Sequence, residues 1–379
     1  MGNLASKQPI LIQSKLYGLD HLRALAIAFV FLYHYRISIF GHPQWIYDYV
    51  KFGWTGVDLF FVLSGFLISS QLFAQIKQGH TISYKEFFLK RFFRILPAFW
   101  IVVAIYFCLP AFHEREALSP LWKFVTFTQN LGLNIQDSGT FSHAWSLCVE
   151  EHFYLLLPLS LALLLSANFF NKAHWLLLAL FLLGFFIRSY SWNHFYLPEM
   201  GAENSWMYWY KYIYYPTWNR LDGLLMGVAI AALYQFLPSA FNRVSKFGNL
   251  LLLISLVLLT TAYFVCYHEQ SYCASVFGFP LVSLGYGFMV VGAISPTSLL
   301  YKWKSKPTTF IAMLSYSIYL THKGIIHVTQ EILSNVGLDK NSNLMLFICI
   351  ACCLAAALLL NLVIEKPFMK LRMKVIKTD

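Results

Sequence analysis

The chain has 379 residues, of which 58% are hydrophobic and 12% charged, with a formal net charge of +11 and a mean hydropathy of +0.58. A soluble globule carries about 25% charged residues, so this composition excludes an ordinary water-soluble domain and predicts a polytopic membrane protein. The expected fold class is an all-α bundle, and the basic excess reads as membrane topology and attraction to anionic lipid, with nucleic acid excluded as a partner.

Apolar runs of roughly 17–25 residues give about ten predicted transmembrane helices, near 17–37, 54–76, 93–112, 144–166, 174–191, 218–237, 248–267, 276–295, 308–331 and 343–364. They form one integral-membrane domain over 1–379, with short tails at 1–16 and 366–379. The first run exceeds signal-peptide length and lacks a small-residue cleavage site, so it is expected to remain in the mature protein. No soluble domain is expected after the tenth span. With the N-terminus cytoplasmic, eighteen Lys and Arg residues fall inside and eight outside, which predicts N- and C-termini both in the cytoplasm.

The first span, LDHLRALAIAFVFLYHYR, holds Arg23 and His34. Their separation is about three helical turns, so both lie on nearly one face, roughly 16 Å apart along the axis. Ionisable groups at bilayer depth are costly and mark functional sites. The second span opens on Asp58 in GWTGVDLFFVLSGFL and the fourth on Glu150 and Glu151 in SHAWSLCVEEHFYLLLP. This topology predicts that the acids reach a depth similar to His34. There a carboxylate would orient the imidazole and stabilise its protonated form as a general base. Capping or a helix-dipole contact accounts equally well for each acid alone. Their coincidence with Arg23 and His34 in one bundle favours a site.

The segment KQGHTISYKEFFLKRFFRILP is the densest basic cluster. Lys77, Lys85 and Lys90 read as positive-inside anchors, whereas Arg91 and Arg94 share a helical face suited to phosphates. Arg220 and Asp222, opening the sixth span, either form a structural pair or border an acceptor site. His322, midway along the ninth, either lines a channel or bonds across helices. The aromatic segment around Trp209 and Tyr212 is either an interfacial belt or a platform for stacking sugars. The seven cysteines show no metal-ligand spacing. Cys266 and Cys273 bracket a short outer loop and could pair in an oxidising compartment.

The ordered motifs R-x10-H, GVDLFFVLSGFL, FLKRFFRILPAFW, SHAWSLCVEEHFYLLLP, NRLDGLLMG, SYSIYLTHKGII and IEKP, spread over residues 17–370, resemble the acyltransferase 3 family of integral-membrane O-acyltransferases. The resemblance implies transfer of an acyl group, commonly acetyl, from acetyl-CoA as co-substrate, with no bound cofactor or metal. The implied acceptor is a hydroxyl of an extracytoplasmic or lipid-linked glycan, such as lipopolysaccharide O-antigen or another surface polysaccharide, at the cytoplasmic (inner) membrane. On this reading His34, Asp58 and Glu150 are catalytic, and Arg23, Arg91 and Arg94 bind the donor. Glu151, His322, Arg220, Asp222, Trp209 and Tyr212 border the channel or acceptor site. The competing class is a proton-coupled transporter of a glycan or small metabolite, against which no inverted repeat is evident. A non-catalytic glycan-binding or assembly protein is a third.

Overall fold

The computed structural model describes residues 16–38 and 41–376; Lys7 and Lys15 of the N-terminal tail, and Lys377, lie outside the described residues. Ten helices organise the chain: α1 (Tyr17–Arg36), α2 (Gly56–Lys77), α3 (Tyr84–Cys108), α4 (Trp145–Ser166), α5 (Ala173–Ser191), α6 (Asp222–Phe236), α7 (Gly248–Val265), α8 (Phe279–Ile294), α9 (Lys306–Asn335) and α10 (Asn343–Leu360). A basic helix, α11 (Lys366–Ile376), follows. Among the described residues there is no β-strand, only an isolated bridge between Leu118 and Thr140.

Every segment expected as a span is helical, and seven of the helices are long and apolar enough to cross a membrane. The other three differ for physical reasons. Helix α6 has 15 residues, while α1 carries Asp20, Arg23 and Arg36, and α9 carries Lys323 and Glu331. The outward faces are apolar. Trp175, Leu182 and Phe186 on α5, Leu253 and Leu256 on α7, and Phe347 and Leu359 on α10 are exposed. Apolar surface this extensive suits acyl chains and not water, so the chain is a multi-pass membrane protein.

Local sequence sets the helix starts. Ser83 accepts a hydrogen bond from the Glu86 amide at 3.4 Å ahead of α3. Ser305 does the same for Thr308 ahead of α9, where Pro307 sits in the first turn and requires no amide bond.

Helix α1 packs along α9, α2 and α8. His21 ties its start to that of α9, with Nδ1 2.7 Å from the Thr308 hydroxyl and Nε2 2.8 Å from the Trp303 carbonyl. The two helices therefore run parallel from a shared origin. Equal rise per residue brings His34 and His322 to the same level about four turns later.

Helices α2 and α6 meet backbone to backbone. A Cβ at Gly65 would lie 2.2 Å from the Leu224 carbonyl oxygen, and one at Gly227 would lie 2.4 Å from the Phe66 nitrogen, the close approach that small residues permit in membrane bundles. An ion pair closes one end of this contact. Arg220 donates to Asp58 Oδ1 at 2.8 Å, and its guanidinium sits 4.1 Å from the Phe279 ring centre and 4.5 Å from that of Tyr214. Arg188 donates to Asp222 at 2.7 Å and to the Asn219 carbonyl at 3.0 Å. Arg220 and Asp222 thus belong to two separate buried pairs instead of one. Cys266 is buried and Cys273 exposed, both as free thiols.

Removing one partner of a buried pair strands the other charge, at a cost of roughly 3–5 kcal/mol. Asp58→Asn and Arg220→Gln should each lower the unfolding midpoint in detergent strongly. The double variant should fall short of the summed losses by about 0.5–3 kcal/mol. Strict additivity in that cycle would contradict the pairing.

Candidate functional site

The centre of the site is a pair of imidazoles. His34 Nδ1 lies 2.8 Å from His322 Nε2. His322 Nδ1 lies 3.0 Å from the Ile318 carbonyl and 2.9 Å from that of Tyr319. Carbonyls only accept, so this nitrogen carries the hydrogen, and in the neutral ring Nε2 is left as an acceptor. His34 then donates through Nδ1, and its Nε2 presents a free lone pair. The hydrogen-bond network assigns this tautomer. His143 completes a cluster, its ring centre 4.9 Å from that of His322 and 5.7 Å from that of His34. Neither of its ring nitrogens has a hydrogen-bond partner.

The loop that delivers His143 is held in an unusual conformation. Phe141 adopts a left-handed φ of 55°, a strained geometry for a bulky residue that tends to occur at functional sites. Its amide donates to Glu114 at 3.0 Å. Glu114 also pairs with Lys323 at 2.8 Å, one residue beyond His322. The loop before α4 is thereby locked onto α9 beside the histidines.

Two cavities flank this centre. The first, of about 350 Å³, is lined by Arg23, Arg91, Arg94, Glu150, Glu151 and Tyr154, among others. Glu150, Tyr154 and Ser64 form a triangle of short contacts, with Tyr154 donating to Glu150 at 2.6 Å and Ser64 within hydrogen-bonding distance of both, and the Arg91 guanidinium lies 5.8 Å from the centre of the Tyr154 ring. Three arginines facing one polar chamber can hold phosphate groups by charge-assisted, bidentate bonds.

The second cavity, of about 310 Å³, contains His34 and His143 and is walled by Trp54, Trp206, Tyr210, Tyr214 and Tyr215, with Arg115 and Lys323 at its polar side. A short helix, Ser205–Trp209, runs into a wide turn at Tyr210–Tyr214, in which the Tyr215 amide bonds to the Tyr210 carbonyl at 3.0 Å. That widened turn brings Tyr210, Tyr214 and Tyr215 to the cavity. Val57 lines both chambers. Tyr319, which lines the first, donates to the His143 carbonyl at 2.8 Å. The partition is therefore about one side chain thick.

Several expected neighbours lie elsewhere. Asp58 is taken up by Arg220 and does not orient His34. Entering α4 through Ser142 sets Glu150 roughly two turns further along, in the arginine-lined chamber with Glu151, so neither acid joins the imidazoles. Trp209 is buried and donates to Ser275 at 2.8 Å, and Tyr212 stacks on Phe195, so neither lines the aromatic chamber. Arg23, Arg91 and Arg94 do converge. His322, open in the sequence between channel and cross-helix roles, is the partner of His34. His143, Lys323 and Glu114 were not anticipated. The His of SHAWSLC and the Lys of THKGII sit within quoted motifs, but nothing in their spacing announces a meeting between distant segments.

The model of the acyltransferase-domain family matches residues 16–362. The chain is 29% identical over 342 residues to the peptidoglycan O-acetyltransferase OatA of Listeria monocytogenes, covering 83% of this chain and 50% of the relative. It is 30% identical over 332 residues to the O-acetyltransferase OatA of Staphylococcus aureus, covering 82% and 50%. The chain thus spans about half the length of the curated relatives it matches. No solved structure matches. With a family model aligned to nearly its whole length and both arginine and histidine motifs in their expected order, the chain belongs to the acyltransferase 3 family.

Proposed function

We propose that the protein is a membrane O-acetyltransferase that carries an acyl group from cytoplasmic acetyl-CoA to a hydroxyl of an extracytoplasmic or lipid-linked glycan. The observation that carries this reading is that His34, paired with His322, opens into an aromatic chamber that Val57 and Tyr319 separate from an arginine-lined one. The relatives' names support O-acetyl transfer, and one of them names peptidoglycan. We take a glycan of that kind as the acceptor in preference to lipopolysaccharide. The topology that goes with it has ten spans, both termini in the cytoplasm of the cell and the whole bundle in the inner membrane. The parallel α1 and α9 and the excess of basic residues on one side support that arrangement.

In this mechanism Arg91 and Arg94 bind the phosphates of CoA at the cytoplasmic side, and Arg23, on the same face of α1 as His34, guides the pantetheine arm inward. The thioester reaches the partition beside Val57 and Tyr319. The acceptor hydroxyl enters from the aromatic chamber and gives its proton to His34 Nε2 as its oxygen attacks the thioester carbon. The tetrahedral intermediate collapses, the C–S bond breaks, and the departing CoA sulfur recovers that proton from the imidazolium. His322 keeps Nδ1–H of His34 engaged throughout, so the ring holds its tautomer and its charged form is stabilised. Glu150 organises the donor chamber through Tyr154 and Ser64, and Asp58 supports the wall through Arg220.

Labelled acetyl-CoA and a glycan acceptor supplied to nanodisc-embedded protein test this reading. His34→Ala should fold yet lose on the order of 10²–10⁴ in transfer rate. His322→Gln, whose carbonyl can still accept from His34, should keep more activity than His322→Leu. Full transfer by His34→Ala would overturn the assignment. Arg91→Gln and Arg94→Gln should each raise the KM for acetyl-CoA roughly tenfold or more, as expected for a lost hydrogen bond to a charged group, with acceptor KM little changed. An unchanged donor KM would remove them from the donor site.

A further inference from the structure

The aromatic chamber is lined by Arg115 and Lys323. Its two cations differ in their surroundings. Lys323 is neutralised by Glu114 at 2.8 Å and also donates to Ser142 at 3.3 Å. Arg115 lines this chamber and also a small crevice that shares His34 with it and is formed with Glu114, Lys323 and His327. Its backbone is fixed, the carbonyl accepting from Thr140 at 2.7 Å, while its side chain has no ion pair among the described residues. A guanidinium at the mouth of an aromatic chamber, beside a histidine with a free lone pair, offers a planar fork for a bidentate anion.

We propose that the acceptor site takes a sugar bearing an anionic substituent, a carboxylate or a phosphate, which Arg115 recognises while the ring stacks among Trp206, Tyr210 and Tyr215. This rests on the acyltransferase reading above and adds the chemical class of the acceptor. The chamber volume of about 310 Å³ lies at the small end of ligand pockets, roughly 300–1,000 Å³, the scale of a single ring with its substituents. The aromatic faces supply a sequence-tolerant stacking surface, and Arg115 supplies the discrimination. Anchoring the substituent at Arg115 leaves a hydroxyl of the same sugar directed at His34.

Binding and transfer are measured with three probes: an N-acetylated disaccharide carrying one carboxylate, its carboxamide, and a phosphorylated counterpart. Wild type should bind and acetylate the anionic probes roughly tenfold or more better than the carboxamide, as a charge-assisted pair predicts. Arg115→Gln should reduce that ratio to near one while leaving transfer to the carboxamide intact, and Arg115→Lys should restore part of it. The carboxylate and phosphate arms identify which anion is preferred. Arg115 is exposed, so its replacement should leave the unfolding midpoint unchanged. An equal preference for all three probes in wild type, or a ratio unaffected by Arg115→Gln, overturns the proposal. Arg115-dependent binding with no acetyl transfer to any probe would instead refute the acyltransferase reading and leave the anion site standing.

Discussion

The structure turns on one hydrogen bond between helices nearly three hundred residues apart in sequence, from His34 to His322. An imidazole alone in a bundle has no fixed tautomer. Here the α9 carbonyls fix the proton of His322, and His322 fixes that of His34, so one nitrogen remains open for chemistry. The bond requires α1 and α9 to run parallel and in register. His21 enforces this at the other end by joining α1 to Thr308 and Trp303. The glycine-mediated contact of α2 with α6 and the buried pair Arg220–Asp58 hold the wall against which this core is built.

Around that bond the bundle separates two chemistries. One chamber collects arginines, suited to phosphate; the other collects indoles and phenols, suited to sugar faces. Val57, which lines both chambers, and Tyr319, which lines the first and bonds to the His143 carbonyl, stand between them. In the proposed reaction this division addresses a problem of compartments, since acyl-CoA is made on one side of the membrane and surface glycans are displayed on the other. The strained Phe141 and the Glu114–Lys323 lock belong to the same design, because they fix His143 and the loop that roofs the histidines.

Much of this was legible in the sequence, for reasons of period and composition. Long apolar runs had to be helices in lipid, and all ten predicted segments are helical. The eleven-residue offset of Arg23 and His34 placed them along one helix face, and Arg91 and Arg94 three apart had to share another; these three arginines do converge. What remained hidden depends on packing between distant segments. Depth along a helix suggested that Asp58 and Glu150 would meet His34, but Asp58 turns to Arg220, and the entry of α4 through Ser142 carries Glu150 about two turns past the histidines, to Tyr154. The aromatic segment was readable as a platform. A widened turn, invisible to a count of aromatics, selects Trp206, Tyr210, Tyr214 and Tyr215 over Trp209 and Tyr212. His143 reaches the centre only through the left-handed Phe141.

In the proposed reaction, donor and acceptor meet at His34 from opposite faces of one bundle. This is tested most directly in sealed proteoliposomes with the glycan acceptor trapped in the lumen and membrane-impermeant, labelled acetyl-CoA outside. The trapped acceptor should become acetylated, with CoA released on the outside and no reaction in vesicles carrying His34→Ala. Acetylation only when donor and acceptor share a compartment would contradict the proposed reaction.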